Sequence, residues 1–143
     1  IGSALNLAFL DESFDTIISI AVLHHIPSNR LRQKFLKEAK RVLKQNGRLI
    51  LMVWDLWDNK LARQKYYLSW VNKLLFRPTD IGDIFYPWKN DQGKIMANRY
   101  IHMFTLNELK HLIRQTGLNI DKCGITYNKH MNKARNFFLI LSK

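Results

Sequence analysis

The sequence predicts an α/β fold in which an open sheet of mostly parallel strands ends in an antiparallel hairpin. Three observations carry that expectation. Residues 14–20 (FDTIISI) are a short β-branched run that reads as a parallel strand buried on both faces. Residues 48–53 (RLILMV) are a second such run. Between them Leu31, Phe35, Ala39, Val42 and Leu43 recur at helical spacing. Strand, helix and strand with a short glycine-containing stop form a right-handed crossover, the repeating unit of an open α/β sheet.

The first strand runs into the loop His24-His25-Ile26-Pro27, and Ser28 is placed to cap the helix, which Asn46-Gly47 is expected to end. A second helical stretch spans 59–75, with Leu61, Leu68, Val71, Leu74 and Leu75 on one side, and Arg77-Pro78 stops it. Residues 78–98 hold Pro78, Gly82, Pro87 and Gly93 without a clear period and read as a long loop. It carries Phe85, Tyr86 and Trp88, and residues 55–98 together read as an insertion covering a substrate site. Thr105 with Glu108 is a capping box opening a helix whose Leu109, Leu112 and Ile113 face inward before Gly117. Residues 118–127 and 136–141 are two last strands joined by a basic loop with Lys129, Lys133 and Arg135, short enough for a hairpin.

A chain of 143 residues, 47% hydrophobic and 24% charged, has the size of one domain, so residues 1–143 are treated as a single unit. It opens on Ile1 in what reads as a loop, and a preceding portion of the domain is expected. No signal-like or membrane-spanning run is present, which points to a cytoplasmic protein. The lone Cys123 has no internal disulfide partner. The net charge of +12 is uneven: residues 1–27 hold three acids and no Lys or Arg. A polyanion such as nucleic acid is a natural partner for the remainder, although a solvated lysine-rich face has the same composition. There is no P-loop, G-x-S-x-G elbow, H-E-x-x-H helix or cysteine cluster, and no metal is expected.

The stretch Ala4-Leu5-Asn6-Leu7-Ala8-Phe9 leads to Asp11-Glu12-Ser13-Phe14-Asp15, then SIAVLHHI at 19–26 and KEAKRVLKQNGRLILMVW at 37–54. Together these resemble class I S-adenosylmethionine (SAM)-dependent methyltransferases. In that family LPF-x-D-x-S-F-D leads into the fourth strand, and E-x-x-R-V-L-K-P-G-G closes the next helix before the fifth. The resemblance implies a Rossmann-like sheet, of which this chain would supply the C-terminal part, and SAM as cofactor. Val53-Trp54, Pro87-Trp88, and Asn98-Arg99-Tyr100-Ile101-His102-Met103-Phe104 followed by Glu108-Leu109 resemble one branch of the family. That branch is the tRNA wobble-uridine carboxymethyl methyltransferases. It implies methyl transfer to the carboxylate of 5-carboxymethyluridine, a tRNA anticodon as partner, and a small activating protein subunit.

Carried over residue by residue, Ser3 stands where the family has an adenine-binding Asp, and Ala4 and Leu5 would flank the adenine. Ser19, Ala21, Val22 and His24 would line the methyl-donor pocket. His25 is the candidate to face the substrate, as donor to a carboxylate. Arg99 is the candidate partner of the uridine carboxylate or an anticodon phosphate, because a guanidinium is bidentate to either. Extended backbone puts Arg99 and His102 on opposite faces, so at most one points inward. Trp54, Trp88, His102, Lys133 and Arg135 complete the expected substrate and RNA contacts. No acid/base dyad is needed, since a carboxylate is already a nucleophile at neutral pH.

The glycine-rich loop and the ribose-binding acid of this superfamily lie upstream of the matched segment, so this chain alone is expected to bind SAM poorly. Two other readings share the first block of motifs. One is a methyltransferase acting on a quinone-like or lipid-precursor metabolite, and the other is a non-catalytic binding module that kept the fold.

Overall fold

The computed structural model describes residues 2–75, 79–127 and 135–143. Strand β1 (Phe14–Ile20) passes through a single 3-10 turn (Leu23–His25) to helix α1 (Asn29–Val42) and strand β2 (Leu43–Asp55). Helix α2 (Lys60–Leu74), the hairpin β3 (Asp83–Lys89) and β4 (Ile95–His102), helix α3 (Leu106–Arg114), and strands β5 (Asn119–Tyr127) and β6 (Arg135–Ser142) follow.

The main sheet has the order β1-β2-β6-β5. β1 and β2 are parallel, as the crossover requires, while β6 is antiparallel to both β2 and β5. The expected mostly parallel arrangement is therefore a mixed sheet, and the terminal hairpin of the prediction is present with its second strand in an interior position. Apolar residues on alternate positions of β2 and β6 (Leu49, Leu51, Val53, Phe137, Leu139 and Leu141) face α1 and α3 and are buried with Phe35, Leu36, Leu109, Leu112 and Ile113. That layered core is where the apolar period of 2 in the strands meets the 3.6 period of the helices, and a smaller cluster of Ala62, Ile84, Ile101 and Met103 lies between α2 and the hairpin.

Two boundaries differ from the sequence-based expectation, each for a local reason. α1 ends at Val42, not at Asn46-Gly47, because Leu43 is already extended and fully buried. Asn46 takes a left-handed φ of 64°, and the pairing jumps from Phe14 opposite Leu43 to Thr16 opposite Arg48. The Asn-Gly pair thus forms an irregularity inside the strand entry and not a helix stop. Residues 83–98, expected as part of a loop, join the expected extended stretch of Arg99 to His102 in the β3–β4 hairpin, turned at Asn90–Gly93. Pro87 is tolerated there because this two-stranded ribbon leaves each strand one free edge.

α2 is oriented opposite to expectation. Its buried positions are Ala62 and Ser69, while Leu61, Leu68, Val71, Leu74 and Leu75 are exposed. Small residues let the helix approach the hairpin: Ser69 Oγ donates to Tyr66 O at 2.6 Å and accepts from Gly82 N at 2.8 Å. Gly82 sits at φ 95°, with Met103 O only 3.0 Å from where a Cβ would be. Any side chain there would be strained twice over.

Candidate active site at the carboxyl ends of β1 and β2

β1 ends abruptly. Ala21 adopts a left-handed φ of 57° while its N–H still donates to Met52 O at 3.0 Å, so the chain leaves the sheet in a sharp corner. A non-glycine residue held in that region is a local strain of the kind that clusters at functional sites. The corner delivers the 3-10 turn, and with it His24 and His25, beside Trp54 near the end of β2.

Four residues singled out from sequence meet there. The His24 ring is fully buried, lies 4.7 Å from the Trp54 ring at a shallow 32°, and its Nδ1 accepts a long 3.4 Å bond from Trp54 N. His25 lies edge-on to the same indole at 5.6 Å, and its Nδ1 donates to Tyr100 O at 3.0 Å. A carbonyl can only accept, so His25 carries its proton on Nδ1 and leaves Nε2 as an acceptor. Arg99 reaches over the Trp54 ring with its guanidinium carbon 4.6 Å from the centroid, a cation–π contact. The indole is therefore the floor shared by two imidazoles and a guanidinium.

Burial, followed by the electrostatic influence of the neighbouring His25 and Arg99 side chains, pushes His24 down to about 3, so the ring is neutral. With Nδ1 accepting, its Nε2 is a donor, and that buried atom has no partner. Ser19 Oγ, two residues before the corner, is also buried and unpartnered. Unspent buried donors cost roughly 1–3 kcal/mol each unless something accepts from them. Their place at the strand ends is where open α/β sheets bind ligands. A polar ligand carrying acceptors fits Ser19, Ala21 and His24.

Ser3, Ala4 and Leu5 form a separate surface turn. Ser3 Oγ accepts from Leu5 N at 3.2 Å, and Leu5 packs against the main core. Register puts Tyr86 opposite Arg99 and Trp88 opposite Ala97, so Trp88 is on the Arg99 face of the hairpin, half exposed.

Two expected RNA contacts are otherwise engaged. His102 is buried, with Nδ1 at 2.8 Å from Asp83 Oδ1 and Nε2 at 2.7 Å from Glu108 Oε1. Both nitrogens are spent inside the protein, and His102 is a structural tie between β3, β4 and α3. Burial opposes its protonation, yet the bonds to Asp83 and Glu108 raise its pKa above the ordinary value. Arg135 is paired with Asp55 at 2.8 Å and Asp58 at 2.7 Å, so its charge is balanced locally and not offered to a phosphate. Lys133 lies outside the described residues.

Sequence reasoning missed the group behind the site. Arg32 is almost completely buried, with Nη2 donating to Asp80 at 2.6 Å and Nη1 to Ile26 O at 3.2 Å and Tyr100 Oη at 3.1 Å. Tyr100 Oη donates to Asp83 at 2.6 Å. The available signal was position: Arg32 shares the inward stripe of α1 with Leu36 and Ala39, where an arginine must be satisfied internally.

A family described as a methyltransferase domain matches residues 1–51. A Methanosarcina mazei crystal structure titled as a SAM-dependent methyltransferase superposes on 99% of this chain and 65% of its own, with a TM-score of 0.77 and 27% identity. The fold is that of a class I SAM-dependent methyltransferase. A protein of Encephalitozoon cuniculi named as a candidate methyltransferase is 45% identical over 99% of this chain and 59% of its own length. The tRNA (carboxymethyluridine(34)-5-O)-methyltransferase of Schizosaccharomyces pombe is 26% identical over 87% of this chain and 58% of its own. The chain thus spans less than two thirds of both relatives. Among the described residues no group of three His, Cys, Asp or Glu could hold a metal, and no helix is long and apolar enough to cross a membrane.

Proposed function

We propose that the protein transfers a methyl group from SAM to a carboxylate, that of 5-carboxymethyluridine at the wobble position of tRNA. The observation that carries this reading is the convergence of His24, His25 and Arg99 on Trp54 at the strand ends. The name of the Schizosaccharomyces pombe relative supports the substrate. Bound SAM supplies an activated methyl on a sulfonium. Ser19, Ala21 and His24 would hold it, His24 as a neutral donor that brings no positive charge toward the sulfonium. Arg99 would align the carboxylate, and its contact with the indole limits the directions the guanidinium can take. Trp54, with Tyr86 and Trp88 on the Arg99 face of the hairpin, offers aromatic surface for an unstacked anticodon base.

The test is transfer of radiolabelled methyl to an anticodon stem-loop bearing 5-carboxymethyluridine. An alkali-labile ester is expected on that substrate and none on unmodified uridine. Label appearing equally on both, or on neither in a protein shown to bind SAM, would sink the proposal.

A further inference from the structure

The two candidate catalytic residues sit on separate segments, His25 after β1 and Arg99 on β4, and a single buried side chain grips both. Arg32 Nη1 donates to Ile26 O, the carbonyl next to His25, at 3.2 Å. The same nitrogen donates at 3.1 Å to the hydroxyl of Tyr100, the residue next to Arg99. Tyr100 also has its own hold on His25, whose Nδ1–H donates to its backbone carbonyl at 3.0 Å.

We infer that Arg32 and Tyr100 are positioning residues that set the distance and the tautomer of the His25–Arg99 pair from behind. Strand geometry makes this economical. Arg99 points to Trp54, so Tyr100 must point the other way, and its hydroxyl is fixed between Arg32 and Asp83. Rotating β4 to move Arg99 would drag Tyr100 out of a part-buried, charge-assisted pair of bonds, which are among the strong ones. Asp80 and Asp83 accept from Arg32 and Tyr100, so the guanidinium and the phenol are each held from two sides. The Tyr100 carbonyl, fixed by the same anchoring, selects the Nδ1–H form of His25, the less common one in water. Its Nε2 is thereby left to accept and not to donate, which refines its expected role from donor to a carboxylate to acceptor from a neighbouring hydroxyl or water. The importance of this for turnover rests on the proposed carboxylate methylation, whereas the tautomer and the spacing do not.

The experiment has two independent readouts on the full chain. Nitrogen-15 NMR of the histidine side chains should show His25 as the Nδ1–H tautomer, and a wild-type Nε2–H tautomer would overturn the inference whatever any variant does. Tyr100→Phe keeps the ring and the carbonyl but frees the anchor. It should shift the His25 signals and lower kcat about tenfold with little change in KM. Arg32→Lys, which can still donate to Ile26 O and Tyr100 Oη, should retain more of both than Arg32→Gln. A folded Tyr100→Phe with unchanged His25 signals would refute the positioning role. Shifted signals in a protein inactive toward every carboxymethyluridine substrate would leave it standing and refute the proposed function.

Discussion

Burial acts on His24 and His102 in the same direction, and their partners send them opposite ways. Burial takes His24 down first and no carboxylate opposes it, so its pKa falls from the usual 6.5 to about 3. Between those values the unfolded chain binds the proton and the folded one does not, so stability declines as pH drops below about 6.5. His102 is raised by two carboxylates. Its contribution is complete below its unfolded value and is lost as pH rises through its folded one. Urea denaturation from about pH 5 to 8 should therefore show His24→Asn with a shallower acid slope than wild type, and equal slopes would refute the assignment. On function, Arg99→Ala should lower kcat/KM on the anticodon substrate by about 10- to 100-fold. Unchanged turnover there would remove Arg99 from the site.

At the scale of elements, the sequence was readable wherever one face had to be apolar. α1, α3 and the last strand follow their periodicities. β1, expected to be buried on both faces, instead leaves Ile18 and Ile20 exposed, because it is an edge strand with β2 on one side only. Thr105 and Glu108 make the expected capping box, with bonds of 3.1 and 3.4 Å. Thr105→Ala should cost about 1 kcal/mol by thermal or chemical denaturation. The hairpin was hidden over 83–98 by Pro87 and Gly93, which punctuate a ribbon as they would a loop, whereas the extended stretch of Arg99 to His102 was legible. α2 misled for the opposite reason. Its leucines suggested an inner face, while docking depends on Ala62 and Ser69, whose smallness carries no hydrophobic signal. Because Leu68 and Val71 are more than half exposed, Leu68→Gln with Val71→Gln should alter stability by no more than about 0.5 kcal/mol. A large loss would place that face against something in solution. Of the candidate site, His24, His25, Trp54 and Arg99 were legible as residues, but their meeting on one indole depends on the hairpin. Arg32 could be found only from its place on the inward stripe of α1, since its residue type alone does not distinguish a buried arginine from a solvated one.

For the molecule as a whole, the +12 charge sets how any polyanion is met. Affinity for tRNA should fall more than tenfold between about 50 and 200 mM salt, whereas a small neutral substrate would be nearly indifferent. A flat salt profile would favour the metabolite reading. The sheet depends on its middle as much as on its charge. Phe137, Leu139 and Leu141 of β6 are buried between β2 and β5, and each contributes about 2 kcal/mol. Deleting residues 135–143 should abolish cooperative unfolding seen by circular dichroism, since domains hold only about 5–15 kcal/mol in total.

The interior position of β6 also sets a clock. β2 emerges from the ribosome long before the strand that covers its second edge, with residues 56–134 still to be made. At roughly 5–20 residues per second that edge waits several seconds, open to any other nascent strand. How often the chain mispairs is then governed by the speed of translation through that interval.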